Sequence, residues 1–130
     1  MIVPMIEGEI DLKGGRVDQG ISALRAAAQF EDDLYYDEPP AWLIPVRESL
    51  GAALLAANRI SEAEAVYRED LTQFPNNGWS LFGLAKTLAL EHREKESAAV
   101  SSEFTVVWAK ADVTIDSSCL CQSGSVPSPR

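Results

Sequence analysis

The chain repeats itself, and a sequence that does so is constrained to fold as a stack of like units. Between Arg47 and Pro75 it reads Leu50-Gly51, then Leu54, then Ala63 and Tyr67 four apart, then Pro75. Asn58-Arg59 forms a turn between two helical patterns. A shift of 34 carries Leu50 onto Leu84, Gly51 onto Ala85, Leu54 onto Leu88 and Ala63 onto Ser97, whereas Tyr67 and Pro75 become Ser101 and Ala109. Upstream, Gly8, the turn Gly14-Gly15-Arg16, Gly20 and Leu24 stand in the corresponding places at a distance of 43. Nine additional residues therefore separate the first unit from the second. They fall around Leu34 to Trp42, where Pro39-Pro40 breaks helical continuity and stiffens the approach to the next helix.

Hydrophobic spacing predicts an all-α chain of six helices in three pairs. The first pair covers about Val3 to Lys13 and Val17 to Leu34, split by Gly14-Gly15; Val17, Ile21, Leu24 and Ala28 form one apolar stripe. The third helix spans about Ala41 to Ala57, with Val46, Leu50, Leu54 and Ala57 on one face and Pro45 in the first turn, where its missing N-H costs nothing. Ser61 and Glu64 have the spacing of a capping box at the start of the fourth helix, which Phe74 to Gly78 ends. The fifth covers about Trp79 to Leu90. The sixth covers about Glu94 to Ala111, after the turn Glu91-His92-Arg93. From Val113 to Arg130 the composition shifts to Ser, Pro, Gly and Cys without period, which predicts a disordered tail whose removal leaves stability unchanged.

These residues resemble the tetratricopeptide repeat, whose 34-residue pattern places Leu-Gly, then Ala, then Phe, then Pro at set intervals. The middle unit matches at Leu50, Gly51, Ala63 and Pro75, with Tyr67 close to the usual Phe. It departs at Arg47, where Trp is usual, and at Leu54, where Tyr is usual. The flanking units follow by phase. The resemblance implies three antiparallel helical hairpins in a short right-handed α-solenoid over residues 1–112, with repeats 1–34, 44–77 and 78–111 and an insertion at 35–43. The stretch Tyr36-Asp37-Glu38-Pro39-Pro40-x-Trp42, with Pro45-x-Arg47 and Leu50-Gly51, is also similar to a segment near the C-terminus of uncharacterised microbial repeat proteins. That likeness implies the terminal part of a longer array. It brings no activity with it.

Chemistry finds little purchase in the sequence. A net charge of −9 repels a phosphate backbone, so nucleic acid is not an expected partner. No apolar run reaches the roughly 18 residues of a membrane span. Met1 to Ile10 holds two glutamates and no basic residue, unlike a signal peptide, which leaves the cytoplasm as the default compartment. The lone histidine, His92, has no triad-like companions. Cys119 and Cys121 lack a zinc-site spacing and read as incidental. Gly14-Gly15-Arg16 lacks the Lys-Ser/Thr of a phosphate loop and reads as a helix stop. No catalytic residue, cofactor or metal site is expected.

Two features carry more. Glu31, Asp32, Asp33, Asp37 and Glu38 form an acidic rim without EF-hand spacing. Arg47, at an apolar phase of the repeat, needs a carboxylate, because a desolvated guanidinium cannot shed its proton. Asp37 or Glu38 is expected to supply it. Secondly, the resemblance implies a concave groove lined by the first helix of each pair, which places Met5, Glu9, Glu48, Ala52, Leu55, Trp79, Phe82 and Lys86 on it. The basic and asparagine side chains that grip a C-terminal carboxylate in one subfamily are absent from Met5, Glu9, Ser49, Trp79 and Gly83. The expected function is a non-enzymatic scaffold that binds a protein or peptide. The alternative is a small-ligand or cation pocket, with or without chemistry, at the acidic Tyr35 to Trp42 insertion.

Overall fold

The computed structural model describes residues 2–34 and 45–119. Among these the chain is all helical, with no strand: α1 (Ile2–Lys13), α2 (Val17–Asp32), α3 (Val46–Ala56), α4 (Ile60–Gln73), α5 (Gly78–Leu90) and α6 (Glu94–Trp108). The sequence repetition is visible as one turn built three times. Gly15, Asn58 and His92 all take the left-handed conformation, at φ of 79°, 58° and 60°. In each case the next residue is an arginine whose N-H reaches back to a carbonyl five residues earlier: Arg16 to Asp11 at 2.8 Å, Arg59 to Leu54 at 2.8 Å and Arg93 to Leu88 at 2.9 Å. This is the hydrogen bond of a Schellman stop, which satisfies a carbonyl that the ending helix leaves bare. Glycine reaches this conformation without strain, and asparagine tolerates it; His92 is the unusual occupant.

Each arginine then opens the next helix as its N-cap without a side-chain cap bond. The expected capping box at Ser61 and Glu64 therefore does not form. The turn starts α4 at Ile60, two residues too early for Ser61 to cap it, and Glu64 instead binds Arg68 and Arg93. The other boundaries also tighten. α2 stops at Asp32 and α6 at Trp108, while α3 begins at Val46 with Pro45 as its N-cap rather than in its first turn. The insertion 35–43, including Asp37 and Glu38, lies outside the described residues.

Consecutive helices pack antiparallel, because their pairings step in opposite directions. Gly8 meets Leu24 while Leu12 meets Gly20. Phe82 meets Phe104 while Trp79 meets Trp108. The shared core runs through α2, α3, α4 and α5 as Ile21, Leu24, Val46, Leu50, Leu54, Val66, Tyr67, Leu84 and Leu88. Tyr67 is its largest fully buried side chain. Its ring lies where a Cβ at either Gly51 or Gly83 would stand, so one tyrosine of α4 holds α3 and α5 together.

Residues 113–119, expected to belong to a disordered tail, return across the helices, and residues 120–130 lie outside the described residues. Trp108 Nε1 donates to the Val113 carbonyl at 2.8 Å, and Ser118 and Cys119 are buried. Cys119 is also disulfide-bonded, and Cys121 lies outside the described residues. The premise that 113–130 makes no contacts does not hold, since Val113, Ser118 and Cys119 have partners that a deletion removes. For Gly51 the expectation of a tight contact stands: Gly51→Leu should lower stability by about 3 kcal/mol or more, because the Tyr67 ring has no room to yield. Chemical denaturation measures it, and a midpoint unchanged from wild type would contradict this packing.

Candidate functional site

The face that carries a site is the one where the tail returns. A cleft of about 370 Å³ is lined by Ala52, Leu55 and Ala56 of α3, by Gly83, Lys86 and Leu90 of α5, and by Asp116, Ser117 and Ser118. On each helix the residues recur at three- and four-residue spacing, so one stripe of α3 and one of α5 form its walls. The Ser118 hydroxyl lies 3.1 Å from the Glu48 carbonyl oxygen and 2.6 Å from the Tyr67 hydroxyl. A serine has one proton to donate, so with the Glu48 carbonyl accepting it, Tyr67 donates to Ser118. The bent segment at 116–119 is thereby held by two atoms of the helical body.

Below this point lies a buried acid network. Asn77 Nδ2 donates to Glu48 Oε1 at 2.8 Å and to Asp70 Oδ2 at 2.8 Å, while Ser80 donates to Asp70 at 2.6 Å. Asn77 Oδ1 accepts the Trp79 N-H and caps α5. Asp70 Oδ1 is buried without a hydrogen-bond partner. Burial pushes the Glu48 carboxyl up to about 7, with the neighbouring Asp70 and Glu31 charges adding to the rise and the Asn77 hydrogen bond opposing it. Burial likewise raises Asp70 and Glu31.

The structure assembles only part of the expected groove. Ala52, Leu55 and Lys86 line the cleft, and Glu48 lies beneath it with its carbonyl exposed to Ser118. Trp79 and Phe82 pack against α6 instead of standing free. Trp79 meets Trp108 edge-on at 5.6 Å and Phe82 meets Phe104 at 5.6 Å, with Phe104 and Trp108 stacked at 5.5 Å. The reason is that α6 offers its own aromatic pair to the half-buried rings of α5. Met5 packs against the core, and Glu9, with a buried Oε1 that lacks a hydrogen-bond partner, is not part of the cleft lining. Sequence reasoning missed Tyr67 as a polar contact, along with Asp70, Asn77 and Ser118. The period-two run Ala111, Val113, Ile115 was a weak sign of an extended segment.

Arg47 is paired with acids among the described residues, while Asp37 and Glu38, the expected partners, lie outside them. Its guanidinium makes a two-pronged contact with Asp32 at 2.9 and 2.7 Å, with Glu69 at 3.4 Å and Glu31 at 3.7 Å. Glu31 also accepts the Val46 N-H at 3.3 Å, which ties α2 to the start of α3. The hydrogen bond from Arg47 holds Asp32 below the usual carboxylate range. Asp32 and Glu31 thus leave the acidic rim, and among the described residues no cluster of three metal-ligating side chains is present. The Tyr35 to Trp42 pocket lies outside the described residues. No helix among them is long and apolar enough to cross a membrane. No protein-family model matches the chain, and no curated protein matches it.

Two predictions follow from these charges. Asp32→Ala should cost about 2 kcal/mol, between the values of exposed and buried pairs, with a coupling of about 1 kcal/mol or more to Arg47→Met in a urea double-mutant cycle. Full additivity would contradict the pairing. For Glu48, the folded chain retains a proton that the unfolded chain has already lost between pH about 4.5 and about 7. Its contribution is therefore most favourable below about 4.5 and is lost as pH rises through 7, by on the order of 3 kcal/mol at most. Asp32 acts in the opposite sense, favouring the fold at neutral pH and failing as pH drops through its lowered value. Glu48→Gln should flatten the dependence of unfolding free energy on pH between 5 and 8; a slope equal to wild type would exclude Glu48 as its source.

Proposed function

We infer that the chain is a non-enzymatic interaction module of three tetratricopeptide-like hairpins, forming a short right-handed solenoid, that binds an extended segment of protein in its α3–α5 cleft. The observation that carries this reading is Ser118, seated by the Tyr67 hydroxyl and the Glu48 carbonyl while Asp116 and Ser117 complete the cleft wall. Recognition by a hydroxyl and a carbonyl suits a peptide with a small polar residue at the place of Ser118, while Leu55 and Leu90 add apolar wall and Lys86 a positive charge. The thrice-built turn supports the repeat assignment.

The test is competition with the chain's own segment. A chain ending at Lys110 keeps the whole hydrophobic core, which holds no residue beyond Val100. It should bind a fluorescein-labelled peptide of residues 111–119, with Cys119 replaced by Ser, about tenfold more tightly than the full chain does. Lys86→Glu should weaken binding through the repulsion of Asp116. Tyr67→Phe should weaken it by about threefold to tenfold, the value of one hydrogen bond. Equal binding by both chains, or none by either, would overturn the reading.

A further inference from the structure

Among residues 111–119 only Ser118 and Cys119 are buried, at 3% and 4% exposure, so the hold of the returning segment on the cleft is concentrated in these two. Ser118 meets the Tyr67 hydroxyl and the Glu48 carbonyl, and its neighbour Cys119 is disulfide-bonded. The chain contains one other cysteine, Cys121, so within a single chain the bridge joins positions 119 and 121. A bridge that short ties no helix to another and closes no long loop, and it therefore does little to hold the helical body together. What it restricts is the backbone that follows directly on the seated serine.

We propose that the Cys119 disulfide is a redox switch on the α3–α5 cleft: with the bridge closed the segment covers the cleft, and reduction by a thiol releases Ser118 and opens the cleft to an outside peptide. The proposal rests on the cleft reading and supplies its regulation. Closing so small a ring removes freedom from the released segment, which favours the seated state by on the order of tenfold. In the exchange with a dithiol, a thiolate of the reductant attacks one sulfur of the bridge, the S–S bond breaks, and the other sulfur leaves as a thiolate that takes up a proton. The second thiol of the reductant, as its thiolate, then displaces the remaining protein sulfur. The chain gains two electrons and two protons, and the reductant becomes a cyclic disulfide. Linkage makes the device reciprocal. Since reduction favours the open cleft, a peptide that holds the cleft open makes the bridge easier to reduce by the same factor.

The experiment uses the full chain, oxidised or held in dithiothreitol, and the fluorescein-labelled 111–119 peptide with Cys119 replaced by Ser. The reduced chain should bind that peptide about threefold or more tightly than the oxidised chain, and the variant Cys119→Ser/Cys121→Ser should bind like the reduced chain in either buffer. Equal affinity in the two redox states overturns the switch, as does a freshly air-oxidised chain that titrates with two free thiols. A second measurement needs no peptide. In Cys121→Ser the Cys119 thiol has lost its bridge and is exposed by release, so iodoacetamide should modify it within about threefold of its rate in the same chain in urea. Slower modification means that the segment stays seated without the bridge, and overturns the proposal. The chain ending at Lys110 has neither cysteine, so its peptide binding tests the cleft alone. If that chain binds the peptide while both redox states of the full chain bind it equally, the switch falls and the cleft reading stands; if that chain binds none, the cleft reading falls and takes the switch with it.

Discussion

The burial of one tyrosine ring holds the helices in register. Tyr67 sits between α3 and α5, and the two glycines that face it, Gly51 and Gly83, exist at those positions because no other residue leaves room. Three helices, α3, α4 and α5, thereby converge on a single side chain. Its hydroxyl is the one part that the apolar interior cannot satisfy, since a phenol buried without a partner costs free energy of about 1 to 3 kcal/mol. The chain resolves this by bringing Ser118 from over forty residues away to meet it. Packing and the cleft are consequently linked: the residue that closes the core also binds Ser118, which lines the cleft.

What could be read in the sequence was what repeats. The turns at Gly14-Gly15-Arg16, Asn58-Arg59 and His92-Arg93 announced themselves by spacing, because a helix stop is set by local backbone preference. The helical stripes followed from period alone. What could not be read depended on residues far apart in the chain. Arg47 demanded an acid, and its place at an apolar phase made that demand legible, but that Asp32 answers it is decided by where α2 ends, which the local pattern does not fix. Ser61 and Glu64 had the spacing of a cap, yet the preceding left-handed turn moved the helix start past them. The aromatic residues Trp79 and Phe82 had helical spacing that fits a groove or a hairpin equally well; Phe104 and Trp108 decided it. The tail was misjudged because its partners, a hydroxyl and a carbonyl, leave no trace in hydrophobic pattern.

The charge distribution follows the same division. Arginines on the surface recur with the turns and meet acids three or four residues away or on the next helix, as Arg59 meets Glu62 and Arg93 meets Glu96 and Glu64. Such pairs are screened and each contributes little. The carboxylates of Glu48 and Asp70 differ because they share one amide, Asn77, inside the protein. An amide cannot neutralise two charges, so protonation is the cheaper response for this pair than ionisation would be, and the interior becomes sensitive to pH near neutrality.

The returning segment has a kinetic and thermodynamic meaning beyond its contacts. It is tied to the end of α6 by only a few residues, with Trp108 Nε1 fixing the first of them at Val113. A ligand joined by so short a tether acts at an effective concentration on the order of millimolar. A free peptide that seeks the Tyr67 and Glu48 atoms must outcompete that local concentration rather than simply find an empty surface. For the peptide binding proposed above, the tether would set a threshold that only sequences with contacts exceeding the chain's own would pass.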